Sequence, residues 1–115
     1  MSLYVVIREK LQNIITRLND DLSTGNKSVN TDEMFSTFEM FNDNSYGEFI
    51  EKLESSQESE IEAIMNQFNS FDEEKKTLIV LVMEVISKMG RIHEHSDVEK
   101  QVIWYNKLNN ALTEK

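Results

Sequence analysis

Apolar residues recur every three or four positions along most of the chain, the spacing that places side chains on one face of an α-helix. Tyr4, Ile7, Leu11, Ile14, Leu18 and Leu22 form the first such stripe, and Val5, Val6 and Ile15 widen it. Leu3 to Ile7 alone would also suit a strand, but the helical spacing continues well beyond them, so a helix is predicted. Residues 23–31 are polar and aperiodic and predict a loop, with Gly25 able to take the left-handed conformation that ends a helix. Asn30 and Glu33 have capping-box spacing, in which each side chain satisfies the other residue's backbone N–H. A second helix follows with Met34, Phe35, Phe38 and Phe41 as its apolar stripe, a Phe/Met pattern that with Met40 reads as core before partner groove, and Asn42-Asp43-Asn44 is expected to end it.

Ser45 and Glu48 repeat the capping-box spacing ahead of Tyr46, Phe49, Ile50 and Leu53. Ser55-Ser56-Gln57 interrupts the period, and Ile61, Ile64, Met65 and Phe68 resume it, so residues 46–69 read equally as one bent helix or two short ones. Ser70 and Glu73 make a third box before the most apolar stretch, Leu78 to Met89, which leaves little polar face and predicts a central helix covered by its neighbours. Gly90 is its expected stop, with Lys88 and Arg91 suited to the negative end of the helix dipole. Ser96 and Glu99 form a fourth box, opening a last helix that carries Val98, Val102, Tyr105, Leu108 and Leu112. Ile103 and Trp104 broaden that face, and Trp104 is expected in the core. The fold class predicted is all-α: a compact bundle of five to six helices forming a single domain across residues 1–115.

Composition narrows this picture. At 115 residues the chain matches the size of one domain with one core. Proline is absent and there are three glycines, a shortage of turn residues that disfavours a β-rich fold. Cysteine is absent, which excludes disulfides and thiolate metal sites and fits a reducing compartment. The apolar run from Leu78 ends at Glu84, far short of the roughly 20 residues a membrane span requires. The N-terminal run reaches only from Leu3 to Ile7 and follows no basic start, unlike a signal peptide. A soluble, cytoplasmic protein with no membrane partner is expected.

Charge changes the picture most. Residues 1–30 hold four bases and three acids, and residues 75–115 hold seven bases and five acids. Residues 31–74 hold thirteen acids and the single base Lys52, a net charge of −12 within a chain of −9. Like charges at helical spacing destabilise a helix by about 0.2–0.5 kcal/mol per pair, so a sequence selected for stability alone would intersperse lysines. Asp32, Glu33, Glu48, Asp72, Glu73 and Glu74 fall in predicted first turns, where the helix dipole favours them. The remainder read either as a solvated face or as a docking surface. The residues expected to form that surface are Glu39, Asp43, Glu48, Glu51, Glu54, Glu58 and Glu62, with Glu51, Glu54 and Glu58 on one helical face. A concentrated negative field steers a basic protein partner and repels phosphates, so direct nucleic-acid binding is not expected.

The constellations that catalysis requires are missing: no Gly-rich phosphate loop, no nucleophile elbow, no Cys. No enzymatic activity and no cofactor are expected. His93 and His95 stand with Glu94, Asp97 and Glu99 between the last two predicted helices, which keeps metal binding as an alternative. In an extended segment, however, the two rings would point apart. Residues 72–112, including Met89-Gly90-Arg91-Ile92 between two amphipathic helices, resemble in outline a tellurite-resistance domain of the TerB type. Met89 stands where that pattern has Asp, and no residue role is carried over. The leading expectation is a non-enzymatic protein-binding module, of the inhibitor or immunity type, acting on a basic nucleic-acid-processing protein. A self-assembling bundle or homodimer is the alternative, motivated by the wide stripe from Leu3 to Leu22.

Overall fold

A computed structural model describes residues 2–28, 31–42 and 47–114. Among them the chain forms six α-helices, one 3-10 turn and no strand. The helices are α1 (Leu3–Thr24), α2 (Asp32–Asn42), α3 (Gly47–Ser55), α4 (Ile61–Ser70), α5 (Glu73–Ile92) and α6 (Val98–Thr113). The 3-10 turn, Glu58–Glu60, leads directly into α4. The radius of gyration is 13.9 Å, close to the roughly 13 Å expected of a compact chain of this length. The all-α bundle is therefore as the periodicity predicts, and no helix is long and apolar enough to cross a membrane among the described residues.

α5 is the axis of the core. Leu78, Ile79, Val80, Val82, Met83, Val85 and Ile92 are buried around its circumference, against α1 on one side and α6 on the other. α1 contributes Ile7, Leu11, Ile14, Ile15 and Leu18, so most of its stripe is covered within one chain. Leu3, at 47% exposure, is left over. α6 contributes Trp104 and Leu108, which places Trp104 in the core as expected. α2, α3 and α4 close the remaining side with Met34, Phe41, Phe49, Ile50, Leu53, Ile64 and Phe68. Phe35 departs from its expected core position and is 62% exposed: Met34, Thr37 and Phe41 occupy the buried face of α2, and Phe35 falls outside it.

The break that the sequence left open is real: α3 and α4 are separate helices. Ser55 and Ser56 hydroxyls donate back to the carbonyls of Glu51 and Leu53, competing with helix continuation. The Glu60 carboxylate then accepts from the Gln57 backbone N–H, starting the next turn.

Two predicted caps are replaced. α5 opens on Asp72, whose carboxylate accepts from the Lys75 N–H at 2.8 Å, while the Ser70 hydroxyl bonds backwards to Gln67 within α4. α6 opens on Asp97 rather than on a Ser96–Glu99 box. The boxes at Asn30 and Ser45, the stop at Asp43-Asn44 and the stripe residue Tyr46 lie outside the described residues.

Gly90 does not end α5. It is buried inside the helix, where an added methyl group would run into the Gln101 side chain and crowd Val98, so it marks close packing of α5 on α6. The helix ends two residues later. The His95 N–H bonds the Gly90 carbonyl at 2.8 Å and the Glu94 N–H reaches the Arg91 carbonyl at 3.4 Å, a Schellman arrangement with Glu94 at φ 52°. α1 ends on Gly25 at φ 73°, the glycine the sequence pointed to, and a Lys27–Glu94 ion pair at 3.7 Å shows that the two C-terminal ends meet.

Glycine adopts the left-handed conformation without the penalty a side chain brings. Glu94→Gly is therefore expected to raise the unfolding free energy by about 0.5–1 kcal/mol, net of the entropy glycine adds to the unfolded chain. The exposed ion pair it removes is of little account. A shift of the urea midpoint to higher concentration checks this; a shift downward would mean that Glu94 is held by more than its backbone.

Candidate functional site

α3 is strongly two-faced. Phe49, Ile50 and Leu53 are buried, and the polar positions Glu48, Glu51, Lys52 and Glu54 are exposed. The apolar face is locked from below: the Phe49 ring lies 6.0 Å from that of Phe68 and meets Phe71 edge-on at 5.3 Å. Such aromatic pairs fix the helix's rotation, which in turn fixes where its carboxylates stand.

That orientation creates a groove of about 610 Å³ between α2, α3 and α5. Phe38 and Phe41 of α2, Ile50 of α3, and Val82 and Ile86 of α5 give it an apolar floor. Glu48, Glu51 and Glu54 form its rim on the α3 side, and among the described residues no basic side chain lines it. Among the described residues, ion pairs join Arg17 to Glu33, Lys27 to Glu94, Lys76 to Glu73 and Lys88 to Glu84, and none reaches this rim. Lys52, the one base of the acidic segment, directs its ammonium to the Gln67 amide oxygen at 3.1 Å.

The acidic residues named from sequence separate into groups. Glu48, Glu51 and Glu54 are brought together. Glu58 does not share their helical face, because α3 stops at Ser55. It lines a different trough of about 390 Å³ with Ile61, Lys100, Ile103, Trp104 and Lys107. Glu39 on α2 and Glu62 on α4 are exposed and line neither depression, and Asp43 lies outside the described residues. Asp97 and Glu99 join Glu58 at the trough, and Asp97 with Glu54 also lines an adjoining cavity of about 320 Å³. Counting charge along the chain misses these two acids, because they sit in a segment whose bases outnumber its acids.

One lysine ties this region together. Lys100 of α6 donates from Nζ to the carbonyls of Glu54 and Ser56, each at 2.8 Å, capping the C-terminal end of α3. A cation bonded to the last carbonyls of a helix gains from both hydrogen bonding and the dipole. Lys100→Met is expected to cost about 1–2 kcal/mol and to accelerate amide exchange across Gly47–Ser55. Unchanged exchange there would show that α3 is held by its aromatic face alone.

His93 and His95 lie in the tight turn that ends α5, not in an extended segment. His95 Nδ1 accepts from the Asp97 backbone N–H at 3.1 Å, which assigns that nitrogen to loop geometry. Among the described residues no group of three His, Asp or Glu is placed to hold a metal ion. Burial, reinforced by the Glu84 carboxylate to which it bonds, raises the Tyr105 phenol above its ordinary range and keeps it protonated at neutral pH. That shift runs away from neutrality, the wrong direction for a general base.

Comparison of the chain with protein-family models, curated proteins and solved structures found no match.

Proposed function

We propose that this chain is a non-enzymatic binding module that docks a basic protein through the carboxylate rim of α3. The observation that carries this reading is the groove itself: three carboxylates with no ion-pair partner among the described residues border an open apolar floor, with no base among the described lining residues. Carboxylates placed for solubility alone have no need to border a concave apolar surface. Here they stand where a partner's cations would be drawn in and its apolar side chains covered. An inhibitor or immunity-type role against a basic, nucleic-acid-processing protein is the sharpest form of the proposal, since such proteins carry the complementary charge. A reducing, cytoplasmic setting fits the absence of cysteine.

The test is affinity capture from a host lysate at low and high salt, with the native chain and a Glu51→Lys/Glu54→Lys chain as parallel baits. A basic protein retained by the native bait, released by salt and missed by the reversed bait is the expected result. Retention by both baits alike would remove α3 from the interface.

A further inference from the structure

We infer that the element received by the α2–α3–α5 groove is a basic amphipathic helix, seated with its apolar side chains on the floor and its lysines or arginines along α3. This rests on the docking reading above and adds the form of the ligand. Glu48, Glu51 and Glu54 are spaced three residues apart along one short helix, so their Cα atoms advance about 4.5 Å at each step. Bases at i, i+3 or i+4, and i+7 on a partner helix match that ladder, and the apolar positions between them face the floor. Strand addition to a sheet edge is closed to the ligand, because the described residues contain no strand.

Phe35 is the independent sign of a missing neighbour. It lies one turn before Phe38, a floor residue, yet is 62% exposed, and Phe38 itself is only half-buried. Exposed aromatic rings are the side chains that anchor interfaces, because they bury much area for few rotatable bonds. A helix lying along α3 and extending past the α2 end of the floor covers Phe35 and places cations near Glu39, the exposed acid one turn further along α2.

Methyl-labelled full-length protein titrated at low salt with two synthetic peptides of about 15 residues tests this. One is a lysine/leucine sequence of helical amphipathic period; the other has the same composition scrambled so that no apolar face forms. The expected result is binding of the amphipathic peptide at least about tenfold tighter, with saturable methyl shifts at Ile50, Val82 and Ile86. Phe35→Ser, at a position exposed enough to leave the fold intact, is expected to weaken that binding by at least about fivefold. Equal binding of both peptides, with shifts confined to the α3 carboxylates, would overturn the inference while leaving charge-driven docking in place. No binding of either peptide would overturn both.

Discussion

Phe68→Ala is expected to lower the unfolding free energy by about 3–5 kcal/mol, the usual cost of deleting a fully buried aromatic ring. Phe68 is 0% exposed, and its ring stacks on Phe49 at 6.0 Å. The change therefore removes both transfer energy and the contact that sets the rotation of α3. α3 and α4 are nine and ten residues long, below the length at which an isolated helix is stable in water, so neither has a reserve of its own. Against a total stability of about 5–15 kcal/mol for a domain, the loss is a large fraction of the whole. Urea denaturation followed by far-ultraviolet circular dichroism measures it. A loss below about 1 kcal/mol would mean that the Phe49–Phe68 contact is not what holds the acidic helix in place.

Glu51→Lys/Glu54→Lys should move stability and binding in opposite directions. Glu51 stands three residues from both Glu48 and Glu54, so the double reversal replaces the Glu48–Glu51 repulsion with an attraction, about 0.2–0.5 kcal/mol for each of those two changes, while positions 51 and 54 remain a like-charged pair. Lysine at position 54 adds nothing further at the negative end of the helix, which Lys100 already caps. The fold is therefore expected to gain up to about 1 kcal/mol, while capture of the basic partner falls by about 100-fold, because two attractive contacts become repulsive. This opposition separates the two readings of the acidic segment. A solvated face predicts the gain in stability with binding unchanged; a docking face predicts that function is what keeps the less stable sequence. Equal capture by both chains would decide for the former.

The fold was largely legible because its information is periodic. The stripes of α1, α5 and α6 extend over many turns, so noise at one residue does not hide them. The short helices were harder. Ser55-Ser56-Gln57 carries no Gly or Pro, and whether such a triplet bends or breaks a helix depends on hydrogen bonds to the preceding turn, which spacing does not encode. The capping errors share one cause: capping-box spacing points to a serine where an aspartate one or two residues nearer the helix opens it, as Asp72 does for α5 and Asp97 for α6.

The site was half legible. Net charge along the chain pointed to the segment that holds Glu48, Glu51 and Glu54, but it could not show that Glu58 leaves their face at the break. Nor could it show that Asp97 and Glu99 arrive from a distant segment. The apolar floor was invisible for a different reason: Phe38, Ile50 and Val82 sit on three helices, and only tertiary packing makes them neighbours.

The pairing of α1 with α5 also bears on how the chain is made. α1 finds its principal partner only after residues 25–72 have intervened, whereas α5 and α6 are joined by the short turn at residues 93–97. During synthesis α1 leaves the ribosome with Ile7, Leu11, Ile14 and Leu18 uncovered, and they stay so until α5 follows. Contacts of high sequence separation are slow to close, and uncovered apolar surface invites association with other chains in the interval. In that interval α1 presents an apolar face of the kind a holding chaperone covers, and α5 and α6, joined by a short turn, are expected to pair before α1 closes on them.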